Sequence, residues 1–447
     1  MQTLLFNTNR NIILNIKPPK MKRAKYLLLS ALIIATGVLN PAAAQSPTLS
    51  LNDCRKMALE QNKKIQSAQY ELDAARAASE AAKLNDRPAI DASLMGIHAG
   101  APLNKLLPEV LGNASLDIKQ PIYAGGKIAL GKKAYSKAVE IYQGKKAVTE
   151  AEVLLAVETA YWQVVQVKEK VILANKYKEM LLALRNDLKN SFDAGLTYKN
   201  DLLRVEVSLN EAELNITKAT DGLVMAKLNL AQATGQPDNT DFNVVDSVSG
   251  LFTPLSEAAA STAMSNRPEI DLLNKAIEAQ QLQTRIIKAE LKPTVGVALS
   301  GVSAVGKKVN FSNGNNYMFT YYGLLNVSIP IFDWGRNSKK VKEQTLRVQS
   351  QQVQLAETKE LINLQVQNAY LQLNQSVKSI GLSKLSLQQA DENLRLANDR
   401  YKAGTTLGKD VLEAQLIWQQ AYTNLIDAKI EYKINEAGYR KAIGELK

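Results

Sequence analysis

A single histidine, His98, and a single cysteine, Cys54, stand among 447 residues. A Cys/His zinc site needs four ligands, and a histidine-based triad needs an imidazole beside both a nucleophile and an orienting acid. Neither has enough side chains here to be built. The sharpest enzymatic signal is Gly126-Lys127-Ile128-Ala129-Leu130-Gly131-Lys132-Lys133, which follows an extended segment and opens a helix as a phosphate-binding loop would. Lys133 occupies the place of the Ser or Thr that would ligate magnesium, so the run reads as a glycine exit from strand into helix, flanked by cations. The chain is therefore expected to be no enzyme, with no cofactor and no metal. Cys54 reads as a small packed residue, and His98 as a structural one.

What remains is a pair of duplicated reversals. Phe192-Asp193-Ala194-Gly195-Leu196-Thr197-Tyr198-Lys199-Asn200-Asp201-Leu202-Leu203 returns 209 residues later as Tyr401-Lys402-Ala403-Gly404-Thr405-Thr406-Leu407-Gly408-Lys409-Asp410-Val411-Leu412. In both, an aromatic residue closes a long helical pattern, Ala-Gly ends it, and a second helix starts near an acid. Asp410 and Glu413 are three residues apart, which places both carboxylates on one helical face. The same two residues also suit a helix cap and a solvated surface acid.

The elements that position these reversals are themselves repeated. Pro121-Ile122-Tyr123 matches Pro330-Ile331-Phe332 at an offset of 209, while Arg87-Pro88 matches Lys292-Pro293 at 205, so a four-residue length change lies in a loop between. Each half reads helix, strand, strand, long helix, reversal, helix. The first helices, about 51–84 and 255–291, stop before their prolines. Asn113–Lys119 and Tyr317–Ile329 alternate with period two, as strands with one apolar face do. The long helices, about 128–190 and 338–400, contain no proline and at about 1.5 Å per residue reach roughly 95 Å. The return helices keep a three-four apolar seam, Leu202, Val205, Leu209, Ala212 in one half and Val411, Ala414, Trp418, Ala421 in the other, which is coiled-coil packing. Short helices stacked end to end with return helices would match the long ones. Each half then gives one long column and one two-part column.

The domain plan is residues 1–44 as upstream extension and signal peptide, 45–254 as first repeat and 255–447 as second. Lys22-Arg23-Ala24-Lys25, the apolar run 26–39 and Ala42-Ala43-Ala44 form an export signal, with Met21 its natural start. The formal charge of +12 drops to +6 when the six basic residues of 1–44 are set aside, which weakens any case for nucleic-acid binding. No later run is long and apolar enough for a transmembrane helix. Four strands cannot close a barrel alone, and an open edge cannot face lipid, so the chain must assemble. Three copies would give twelve strands.

The export signal, the duplicated plan, the Pro-Ile-aromatic strand exits at 121 and 330, Leu228-Asn229-Leu230-Ala231-Gln232-Ala233-Thr234-Gly235, and above all Tyr401…Gly404…Asp410-Val411-Leu412-Glu413-Ala414-Gln415 resemble the TolC family of outer-membrane efflux channels over about 51–444. The resemblance implies a mostly α homotrimer. Its twelve-stranded β-barrel, four strands per chain, would sit in outer-membrane lipid and continue into a helical coiled-coil barrel in the periplasm. It implies a passive, gated conduit for small molecules or proteins, served by a periplasmic adaptor and an inner-membrane pump. It places the periplasmic gate at Asp410 and Glu413, with Tyr401 and Asp201 as closing links. Thr406 stands where the best-known member of the family has an arginine, and Lys199, Arg204 or Lys409 are the available substitutes. The adaptor-docking tip falls on Phe192, Ala194, Gly195, Leu196, Ala403, Gly404 and Thr405. A rival reading is a periplasmic coiled-coil adaptor or scaffold without a pore, which would have no need for paired amphipathic strands in both halves.

Overall fold

The computed structural model describes residues 47–446 apart from 238, 246, 248–251, 255–259 and 311. The export signal and Lys447 lie outside these residues. Met1–Pro47 and Thr48–Lys447 are separate units, and all the helices and strands described belong to the second.

Its first half contains β1 (Thr48–Leu49), α1 (Leu51–Gln61), α2 (Lys63–Lys83), β2 (Ala89–His98), β3 (Val110–Ala124), α3 (Lys127–Asp193) and α4 (Lys199–Thr234). The second half contains β4 (Asn243–Val244), α5 (Ala260–Asn266), α6 (Pro268–Ala289), β5 (Thr294–Gly306), β6 (Tyr317–Ser328), α7 (Arg336–Lys402) and α8 (Gly408–Ala442). The long helices α3 and α7 each run 67 residues. At about 1.5 Å per residue that is about 100 Å, beyond what helical propensity alone sustains without lateral packing.

α3 is the spine. It packs against α2 and α6 near the sheet and against α4 and α8 toward the reversals, while α7 closes the far side against α6 and α8. This second unit is thus a layer of four columns, two continuous and two stacked. The expected first helices are interrupted. Asn62 turns extended (φ −65°, ψ 129°), and Arg267 does the same ahead of Pro268 (φ −75°, ψ 119°), so only α2 and α6 continue the columns of α4 and α8. α1 packs beside the joint, on α3 and α4. A further small element was not expected, the parallel pairing of β1 with β4.

The joints are built alike. At the first, the Asn62 amide donates to the Ala233 carbonyl (2.8 Å). At the second, Arg267 donates to the Ala442 carbonyl (3.2 Å) and grips Glu269 with two bonds of 2.9 Å. Each return helix ends on a left-handed glycine pressed on the chain above. A Cβ on Gly235 would lie 2.4 Å from the Gln61 oxygen, and one on Gly444 2.7 Å from Asn266.

The four longer strands form one antiparallel sheet in the order β2-β3-β5-β6. The registers put Ile90, Leu94, Leu116, Leu299, Tyr321 and Leu325 on one face, and Asp91, Ser93, Ser115, Asp117, Lys119 and Ser300 on the other. The polar face is knitted across strands. Ser93 and Ser115 share a bond (2.8 Å), Ser115 donates to Asp117 (2.9 Å), and Ser300 donates to the same carboxylate. Among the described residues, no element packs against the apolar face. Ile90, Leu94, Tyr321 and Leu325 are all exposed.

Gly235→Ala should cost about 2–4 kcal/mol, combining backbone strain with a steric clash against backbone atoms. Gly131→Ala, inside α3 with nothing within 4 Å of the added carbon, should be neutral or stabilise by up to about 1 kcal/mol. Thermal denaturation of the two variants tests the joint, and equal melting temperatures would refute it.

Candidate functional site

The two reversals are structural copies. At the first, the Gly195 N–H donates to Phe192 (2.9 Å) and the Leu196 N–H to Ser191 (2.8 Å). At the second, Gly404 donates to Tyr401 (3.0 Å) and Thr405 to Arg400 (2.9 Å). This paired pattern ends a helix on a left-handed residue, and Gly195 and Gly404 supply it with φ of 72° and 71°.

Past each glycine a threonine hydroxyl donates to an aspartate four residues on, Thr197 to Asp201 (3.2 Å) and Thr406 to Asp410. The Leu407 N–H adds a longer bond to Asp410 (3.4 Å). The Thr406 hydroxyl, with smaller help from Leu407 and Lys409, holds the Asp410 carboxyl below the usual carboxylate range against a modest burial penalty. Asp410 therefore caps α8, and its protonation is moved to lower pH. Glu413 lies one turn further along α8, exposed.

Packing fixes the reversals against each other. Leu181, Leu184 and Leu188 of α3, Val205 and Leu209 of α4 and Val411 of α8 form one buried cluster with Tyr401 at its margin. Gly408 lets the second reversal settle on Leu188, whose side chain would lie 2.7 Å from an added Cβ. The Tyr401 hydroxyl is enclosed, with Ser191 beside it. Burial pushes its pKa up, Ser191 opposes this, and the carboxylates Asp187 and Asp201 add to the rise. Tyr401 and Asp201 are thus brought into electrostatic reach within one chain. Lys199, Arg204 and Lys409 make no ion pair among the described residues, so none replaces the arginine inside a single copy. The tip residues Phe192, Ala194, Gly195, Leu196, Ala403, Gly404 and Thr405 are all exposed, Leu196 at 82%.

Outside the tip, the phosphate-loop lookalike is a strand-to-helix corner in which Lys132 pairs with Asp86 (2.7 Å). Cys54 is fully buried, its thiol pushed up to about 12 by burial, and so unreactive. Sequence reading missed Thr197 and Thr406 as partners of the acids, although a Thr-x-x-x-Asp spacing repeated at 209 residues was visible. It also missed the hydroxyl-lined Asp117, because Asp117 and Ser300 are neighbours only through the pairing of β3 with β5.

The family model described as "Outer membrane efflux protein" matches residues 54–236 and 259–445. The chain is similar to outer membrane protein TolC of Escherichia coli, 23% identical over 349 residues, covering 75% of this chain and 69% of that one. It is similar to the alkaline protease secretion protein AprF of Pseudomonas aeruginosa, 22% identical over 74% of this chain and 69% of its relative. Among solved structures, the open-state MtrE outer membrane channel of Neisseria gonorrhoeae superposes with a TM-score of 0.74 at 19% identity, over 89% of each chain.

Thr406→Ala should raise the pKa of Asp410. In the parent, the carboxylate keeps its charge until the pH falls below the ordinary aspartate range, and in the variant it should protonate at higher pH. An NMR titration of the Asp410 carboxyl reads this directly, and superimposable curves would remove Thr406 from the role.

Proposed function

Because this chain belongs to the outer membrane efflux protein family, and is thus an outer-membrane efflux channel, we propose that three copies close into one conduit. A twelve-stranded barrel would cross the outer membrane, and twelve helical columns would continue it into the periplasm. The observation that carries this is the two-faced sheet. Its apolar face is bare, its polar face is hydrogen-bonded within itself, and its edges β2 and β6 are unpaired. Backbone groups of an open edge cannot be left facing lipid. The ten residues of β2, at about 3.3 Å each and tilted about 40°, rise about 25 Å, the height of an outer-membrane apolar band.

The helical edges support the same closure. α7 lies at one side of the layer with Val353, Leu364, Leu371 and Leu382 exposed, and α4 at the other with Leu203, Val207 and Leu214 exposed. Apolar stripes of this length on a lone chain mark an interface, and one edge meeting the opposite edge of the next copy makes a closed ring. Inside it, cargo would pass a polar lumen above and a mouth ringed by Asp410 and Glu413 below.

In this reading the channel is passive. A periplasmic adaptor docks on the tip through Leu196 and its neighbours, and an inner-membrane pump supplies energy for export of small molecules or proteins. Asp410 and Glu413 from three copies place six carboxylates at one constriction, favouring cations, while Tyr401 and Asp201 belong to the closing contacts.

Reconstitution into planar bilayers should give discrete, cation-preferring conductance. Replacing Asp410 and Glu413 together by Ala should raise the conductance or weaken the preference, and unchanged single-channel behaviour would take the pair out of the constriction. A mature protein found soluble in the periplasm, with no conductance, would sink the channel reading altogether.

A further inference from the structure

The repeat relates elements inside one chain, and it also specifies the joint between copies. Resting on the ring proposed above, we infer that β6 of one copy pairs with β2 of the next in a single register, Ser328 opposite Ser93, and that Trp334 fills the corner of this joint against Leu84 and Arg87 of the neighbouring copy.

The register follows from two offsets and one observed ladder. β3 pairs with β5 inside the chain, with Leu116 opposite Gly301 and Lys119 opposite Ala298. β6 is the image of β3 at 209 residues, and β2 is the image of β5 at 205. Carrying the ladder across sets Leu325 opposite Gly96, Asn326 opposite Met95, Val327 opposite Leu94 and Ser328 opposite Ser93. The observed faces provide a test that the offsets did not build in. Leu325, Val327 and Leu94 all lie on the bare apolar face, and Ser328, Asn326 and Ser93 on the polar one. A slip of one residue would turn Ile90 and Leu94 from the apolar face into the lumen.

Trp334 marks the same joint. Its image in the first half is Gly125, and both are left-handed, with φ of 57° and 65°. That conformation suits glycine and strains a bulky residue. Gly125 is needed where it stands, because a Cβ there would lie 2.8 Å from the Cβ of Lys292 and 2.9 Å from the Ala289 oxygen. The images of Lys292 and Ala289 are Arg87 and Leu84. Within one chain, Trp334 is 89% exposed, and its one aromatic contact among the described residues is with the Phe332 ring, edge-on at 4.9 Å. Leu84 is 62% exposed. The ring therefore has two kinds of corner. Those within a chain close backbone on backbone at glycine, and those between copies stand wider and are filled by an indole with an aliphatic side chain and a guanidinium against it.

Two cysteine pairs of this register, Ser93→Cys with Ser328→Cys and Met95→Cys with Asn326→Cys, face the aqueous lumen. On mild oxidation of the assembled protein they should give covalent dimers and trimers on boiled, non-reducing gels. Ser93→Cys combined with Asn326→Cys or Pro330→Cys should cross-link several-fold less. A photo-reactive benzoylphenylalanine at position 334, in otherwise unaltered protein, should be recovered on a peptide containing residues 84–88. Stronger cross-linking in a slipped pair would overturn the register, and capture of lipid alone at 334 would overturn the assignment of Trp334. Native mass of the unmodified protein keeps the two levels apart. A trimer that cross-links in another register refutes only this inference, whereas a monomer refutes the ring.

Discussion

Two glycines carry the architecture. A four-column layer about 100 Å long can be made from a chain with two 67-residue helices only if the shorter helices are laid end to end without a gap. A gap would expose helix ends on both sides, each with unsatisfied backbone groups. Gly235 and Gly444 remove the Cβ that would hold the ends apart, and Asn62 and Arg267 bind the last carbonyls of the return helices. The second joint is the more heavily fixed. Arg267 is buried and tied to Glu269 and Gln365 as well as to Ala442, so breaking it would strand a charge, whereas Asn62 is neutral.

This constraint sets the depth of everything else. The return helices start at the reversals and stop at the joints, so the joints fix how far the tips stand from the sheet. The seam residues Val205, Leu209 and Val411 can then meet Leu184 and Leu188 in register. α3 alone touches all the stacked helices, and it transmits position between sheet and tip because it has no proline at which to bend. In the lower half each return helix is held by its seam, its first turn and a few polar ties, Lys178 to Glu213 on α4 and Trp418 to Asp391 on α8.

The periodic parts of this design could be read from the sequence. The 3.6-residue period and the absence of proline placed α3 and α7 within a few residues of their ends, and alternation located β6. β3 was found short, as Asn113–Lys119 instead of Val110–Ala124, because Gly112 and Pro121 mask the alternation at its ends. The break at Asn62 was invisible since the helical pattern runs through it, and extended backbone at one residue leaves no periodic trace. β1 and β4 have two residues each, too few for any period. Features that rest on contacts between distant residues, such as Leu188 against Gly408 or Ser300 on Asp117, come from topology and have no local signature. The acids at the tip were legible as types, but the threonine tethers on them depend on how the turn folds each hydroxyl back onto its carboxylate, which leaves no periodic trace.

That tether changes what the loss of an arginine at position 406 means. Thr197 and Thr406 make the two reversals chemically alike, each donating to the aspartate four residues on. A closing device that depended on the contrast between an arginine at one tip and an aspartate at the other has no counterpart at these positions. The contrast reappears one turn deeper. Glu413 is the image of Arg204 at 209 residues, and both are exposed and unpaired within one chain among the described residues. In a ring of three copies these positions would alternate in sign around the mouth, three guanidinium groups interleaved with three carboxylates at one level. Contraction would draw opposite charges together there. Such a mouth would gain a closing contact, Arg204 to Glu413, beside those of Tyr401 and Asp201. Screening would act mainly on the exposed pairs, so raised salt would loosen closure more than it changed which ions pass.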